Sequence, residues 1–192
     1  QRDAAESRGR LGGVALEESL PRLHDVSVLS WDRGESVLIP ADAMKSVLSA
    51  ARRRAGVVVV DLPRRVDETV AEVLAQLDLG LVVVPAELRA VAAAHRVSSR
   101  ARLVLRDLRA LVRTPGGPGG PRGYGPGLDE EEVARLLGLS LAGELPWEPG
   151  LLDDVDRGVP PGARETGALA RFCREFWAQA LNGGVSDGGV AA

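Results

Sequence analysis

Apolar residues fall along the chain in two kinds of pattern, and their alternation predicts the fold. Val57-Val58-Val59-Val60 is an unbroken apolar run that ends in Asp61-Leu62-Pro63. A strand can hide side chains pointing both ways only in a sheet covered on both faces, so this run predicts a buried strand at the sheet's centre. A second such run covers 79–84 and is ended by Pro85. Residues 108–112 and 139–145 are further strand candidates, and 26–30 is a short one. Between these runs the apolar positions recur at helical spacing. Pro40 opens an Ala-rich helix over 41–54, closed by Gly56. Asp67 reads as the N-cap of a helix carrying Val70, Val73, Leu74 and Leu77. Helices over 87–105, 128–137 and 166–181, with a short one at 14–20, complete the set.

Strands that alternate with helices through short links specify an α/β fold, a mostly parallel sheet with right-handed crossovers and helices on both faces. The predicted organisation is a flexible lead-in over 1–13, one α/β domain over 14–181, a Gly/Pro-rich loop at 114–127 within it, and a disordered tail over 182–192.

Composition narrows the chemistry. The 192 residues carry 24 basic and 27 acidic side chains, a net charge of −3, so no global field draws in nucleic acid. Lys45 is the only lysine and Cys173 the only cysteine, and the histidines are His24 and His95. That inventory excludes a disulfide framework within the chain and a Cys/His zinc cluster. No apolar run approaches the ~20 residues that span a bilayer. Residues 1–10 lack the pattern of a signal peptide. A reducing cytoplasm is the expected compartment. The chain begins at Gln1 and its sole methionine is Met44, which reads as a piece of a longer protein.

Asp61 is the first candidate for chemistry. A carboxylate at the carboxyl end of a strand can hold a magnesium-bound water near a phosphate, or simply cap the next turn. The glycine loop G-x-x-x-x-G-K-[ST] that cradles phosphates is absent, and Lys45-Ser46 matches only its last two positions, in mid-helix. Arg89, Arg96 and Arg100 fall on one helix face, either to contact nucleic-acid phosphates or as a solvated surface. Arg52-Arg53-Arg54 and Arg64-Arg65 read as solvated surface. In the last helix Leu169, Phe172, Cys173 and Phe176 share a face, with Trp177 beside it. Packing on the sheet fits that face better than a membrane surface, and predicts Cys173 as a small buried hydrophobe. The two histidines have no evident partners and read as structural or exposed.

Taken together these residues resemble a known family. Val57-Val58-Val59-Val60-Asp61-Leu62-Pro63 is similar to the switch-II strand of the MinD/ParA class of deviant P-loop ATPases, hydrophobics followed by D-[ST]-P-P-G. The stretch from Leu79 through Pro85-Ala86-Glu87 resembles that class's next strand, and Gly143-Glu144-Leu145-Pro146 with Asp156-Arg157-Gly158 its late strand-Pro-helix-Gly segment. Leu29-Ser30-Trp31-Asp32-Arg33-Gly34 and Leu141-Ala142-Gly143-Glu144-Leu145 resemble the actinobacterial CpaE/TadZ-like, septum-site-determining subgroup.

The resemblance implies an ATP-dependent homodimer with protein partners, cytoplasmic or peripheral at a membrane or septum, that positions a septum, pilus or secretion site. ATP and Mg2+ are implied as cofactors if a P-loop and first strand lie upstream of Gln1. Asp61 and Pro63 would then form the nucleotide switch, and Arg113 and Pro146 the base pocket. Three positions depart from the pattern: Leu62 replaces the hydroxyl, Arg65 the glycine, and Arg113 the base-recognising asparagine. The departures imply a degenerate ATPase without turnover in this segment. The alternatives are an interaction scaffold that binds no nucleotide, and a DNA-binding protein using Arg89, Arg96 and Arg100. A sheet without its first strand would expose an apolar groove, so the isolated segment is expected to be poorly soluble; a monodisperse, cooperatively melting preparation would contradict this.

Overall fold

The computed structural model describes residues 18–23, 25–30, 40–113 and 128–183. The chain divides into two compact units, residues 1–78 with 103–105, and residues 79–102 with 106–192. The lead-in, most of the 14–20 helix, His24, the 31–34 turn, the 114–127 loop and the tail beyond 183 lie outside the described residues.

In the first unit, β1 (Arg22–Leu23) and β2 (Val26–Ser27) form a small antiparallel hairpin. The 26–30 strand therefore pairs locally and has no place in a parallel sheet. Helix α1 (Ala41–Arg52) starts after Pro40, whose fixed φ suits a helix start, and packs against α2 (Glu68–Leu74). Asp67 caps α2 as expected, its carboxylate accepting from the Val70 N–H at 3.0 Å. Ala43, Leu48, Val70, Val73 and Leu74 are buried. The Arg52 guanidinium donates to the Gln76 carbonyl and to the Asp78 carboxylate.

The valine run corrects the sequence expectation. Residues 57–60 are extended but belong to no strand ladder. Exposure alternates along them, and Val59 is 78% exposed. The two-residue period of extended backbone is present, but among the described residues no strand pairs with the run. An apolar run alone specifies extension, whereas a strand also needs a neighbour for its N–H and C=O groups.

The second unit holds the parallel sheet, in the order β3 (Gly80–Pro85), β4 (Leu108–Arg113), β5 (Ser140–Leu145). Helix α3 (Leu88–Ala101) links β3 to β4, and α4 (Glu130–Leu137) precedes β5. Val84, Ala110 and Val112 on one sheet face meet Val91 and Ala94 of α3 and Val133, Ala134 and Leu137 of α4. Ser98 is fully buried, and its hydroxyl is satisfied by the His95 carbonyl of its own helix.

Two helices follow β5: the short α5 (Leu151–Asp156), which the apolar pattern does not predict, and the 16-residue α6 (Ala168–Gly183). Gly143 pairs with Leu111, so it points to the face opposite Ala110 and Val112, and a Cβ there would meet Phe172 of α6 at 2.9 Å. Helices thus cover both faces of the sheet, as predicted. Cys173 is exposed, not buried as expected. The packed face of α6 runs through Leu169 and Phe172, and Cys173 lies a full residue step, about 100°, from Phe172.

Capping fixes α4. The Asp129 carboxylate accepts from the Glu132 N–H at 2.7 Å, and Glu132 reaches back to the Asp129 N–H at 3.1 Å. Gly138 ends the helix at φ 62°, and Arg102 donates to its carbonyl at 2.9 Å. Asp129→Ala should lower stability by about 1 kcal/mol. Gly143→Ala should cost about 1–3 kcal/mol, because the position combines φ 144° with the Phe172 ring. Both are read as shifts of the urea midpoint at unchanged slope.

Candidate functional site

Three parallel strands place their carboxyl ends on one edge. Pro85 pairs with Arg113, and Arg113 with Leu145. The Ala86 N–H donates to the Arg113 carbonyl at 3.0 Å, extending the ladder by one bond. In open α/β sheets this edge binds ligands, because the strands end there and the loops are free to vary. Arg113 is exposed on it. Pro146, directly after Leu145, is half-buried, and Trp147 is exposed beside it. The two residues assigned to a base pocket therefore lie at neighbouring strand ends.

Glu148 anchors the loop that leaves this edge. Its Oε2 accepts from the Leu169 N–H at 2.9 Å, satisfying a donor in the first turn of α6. A Cβ at Gly167 would lie 2.7 Å from Glu148 Oε1 and 2.9 Å from the Arg164 carbonyl, so only glycine fits. Arg164 ties the rest, pairing with Asp154 at 2.6 Å and donating to the Pro149 carbonyl at 3.3 Å. The apolar pattern did not point to Glu148, Arg164 or α5. The visible signal was the glycines, since Gly150, Gly158 and Gly162 all adopt φ between 74° and 82°.

Asp61 and Pro63 belong to the first unit and are exposed. Among the described residues the Asp61 carboxylate makes no hydrogen bond or ion pair, so it does not cap the following turn. Leu62 is half-buried and Arg65 exposed. Lys45 is engaged structurally: its ammonium meets Glu72 at 2.7 Å and links α1 to α2. The hydrogen bond and charge of Glu72 raise the Lys45 pKa. Arg89, Arg96 and Arg100 are all exposed on α3, and His95 is exposed beside them.

A magnesium–nucleotide switch requires a carboxylate, a neighbouring hydroxyl and a phosphate cradle. This chain supplies the carboxylate of Asp61, has Leu62 where the hydroxyl belongs, and carries no glycine cradle. No group of three His, Cys, Asp or Glu side chains among the described residues is placed to hold a metal ion. These residues do not by themselves fit Mg2+-ATP. No helix among the described residues is long and apolar enough to cross a membrane.

The fold is the P-loop-NTPase-like α/β architecture of the MinD and ParA ATPases. The chain is similar to the MinD cell division protein of Aquifex aeolicus, with a TM-score of 0.63 and 21% identity over 77% of this chain and 63% of that one. It is similar to a chain of the MinC:MinD cell division protein complex of the same organism, at 0.64 and 19% over 94% of this chain and 78% of that one. The ParA family ATPase of Chlorobium tepidum TLS gives 0.57 and 13% over 74% of this chain and 57% of that one. In sequence, the chain is 33% identical over 156 residues to the Mycobacterium tuberculosis proteins MT3760 and Rv3660c, both described as uncharacterized. The match takes in 81% of this chain, which spans 42% of the length of those relatives. No family model matches the chain.

Glu148→Ala should lower stability by about 1 kcal/mol through loss of the α6 cap, measured by urea denaturation. The raised Lys45 pKa means that its pair with Glu72 contributes fully below the ordinary lysine pKa and fades as pH rises through the raised value. The urea midpoints of the natural chain and Lys45→Met should therefore differ near neutral pH, converge in strong alkali, and converge in molar salt.

Proposed function

We propose that this chain is part of a degenerate member of the MinD/ParA class: a regulatory, localisation-type ATPase relative of the CpaE/TadZ-like, septum-site or secretion/pilus positioning type that does not hydrolyse ATP through these residues. The observation that carries this reading is the composition of the ligand edge and switch. Asp61 stands exposed without a partner, Leu62 cannot donate a hydrogen bond to a phosphate oxygen, and Arg113 occupies the exposed end of β4. An arginine offers only donors, whereas adenine presents a donor beside its acceptors, so Arg113 cannot match that edge as an asparagine amide does. The MinD- and ParA-like fold supports the class.

The protein acts by binding partners and is peripheral at a membrane or septum. Homodimer formation belongs to the same proposal, as does any ATP and Mg2+ held with the help of an upstream glycine loop. Steady-state phosphate release by this chain, and by a full-length parent, should stay at background with Mg2+ and ATP, and Asp61→Ala should change nothing. Magnesium-dependent phosphate release by the parent, well above background and abolished by Asp61→Ala, would overturn the reading in favour of a working switch.

A further inference from the structure

Helix α5 is built inside out. None of its six residues is buried, and its largest apolar side chains face solvent, Leu152 at 78% and Val155 at 47% exposed. Asp154 is turned the other way: its side chain is only 16% exposed and meets Arg164 at 2.6 Å. A helix this short is not stable by itself and ordinarily holds its place by burying an apolar face. Polar ties hold α5 instead. Arg164 pairs with Asp154 and also donates to the Pro149 carbonyl at 3.3 Å. At the other end the Gly158 N–H donates to the Val155 carbonyl at 2.9 Å and the Val159 N–H to the Asp154 carbonyl at 2.8 Å. The chain thus folds back and sets Val159, also exposed, at the end of the helix.

A scattered exposed leucine is ordinary. Here Leu152 and Val155 share a face one turn apart, and the segment that carries them is pinned in place with that face outward. The local charge is also one-sided. From Glu144 to Asp156 there are five acidic residues and no basic one, with Arg157 next. Glu148 is engaged by the Leu169 N–H and Asp154 by Arg164, and Asp153 and Asp156 are exposed on the same short helix as the apolar pair.

We infer that the outer face of α5 is a docking surface for a basic amphipathic helix of a partner protein. Leu152, Val155 and Val159 receive its apolar stripe, and Asp153 and Asp156 its flanking arginines or lysines. Charge decides the class of occupant. An anionic bilayer or a nucleic acid would bring negative charge against Asp153 and Asp156, and a second α5 would set the same carboxylates against one another. A basic amphipathic helix offers both the apolar area and the matching charge. The ties through Arg164 keep the surface in one conformation before the partner arrives, so little ordering cost falls on binding. The surface lies wholly within the second unit.

The test titrates the full 192-residue chain into a fluorescent helical peptide with leucines at i, i+3, i+4 and i+7 flanked by arginines. Its controls are a scrambled peptide of equal composition, a Glu-for-Arg peptide and vesicles of anionic phospholipid. Anisotropy should show the amphipathic peptide binding at least about tenfold tighter than the scrambled one, and Leu152→Ser/Val155→Ser weakening it at least about tenfold. Asp153→Asn/Asp156→Asn should weaken binding and flatten its salt dependence. All four positions are exposed, so the urea midpoints of both variants should match that of the natural chain. No binding, equal affinity for the scrambled peptide, or binding untouched by Leu152→Ser/Val155→Ser would each overturn the proposal. Vesicle binding lost in that variant would overturn it in favour of a membrane, and a sedimenting dimer lost in it in favour of a second copy. Should the serine variant unfold, the asparagine variant and the Glu-for-Arg peptide decide, since undiminished binding of either contradicts the proposal.

Discussion

β4 is hydrogen-bonded on both sides, and the second unit takes its geometry from that constraint. Its ladder to β3 sets Pro85 beside Arg113, and its ladder to β5 sets Arg113 beside Leu145. Ala110 and Val112 are fully buried, so a slip of one residue would turn them out and bring Arg109 and Arg113 inward. Arg109 is tolerated on its own face because Asp107 neutralises it through two bonds of 2.8 and 2.7 Å. Register therefore decides both the core and which residues stand at the ligand edge.

Much of this was legible from the chain. Apolar runs bounded by Pro or Gly located β3, β4 and β5 to within a residue or two. Asp67 and the acidic head of α4 announced their helices because capping is local chemistry, decided within one turn. What escaped prediction was non-local. Four valines cannot specify whether a neighbouring strand exists to pair with them, and Val59 is left exposed. Cys173 looked buried from helical spacing, but the covered sector of α6 is narrower than the apolar one. At the ligand edge, Arg113 and Pro146 could be placed from strand ends alone. Glu148 could not, since its partner lies 21 residues away.

The core and the exposed strand ends of the parallel sheet answer to different constraints. The packing of Ala110 and Val112 fixes β4 and holds Arg113 exposed at its carboxyl end. Core packing constrains volume and register, and neither is disturbed by a substitution at an exposed strand end. A chain of this kind can therefore keep its architecture while the chemistry at its edge drifts or is put to other use.

The clasp at Glu148 has a kinetic consequence. Most helices start from a cap one to three residues away, so their first turn can form before the rest of the protein is in place. The first turn of α6 receives Glu148 as a partner only after the intervening loop has closed, with α5 and the Arg164–Asp154 pair inside it. Loop closure has an entropic cost that must be met before the contact returns anything. The capped first turn of α6 is thereby tied to closure of the loop at the ligand edge.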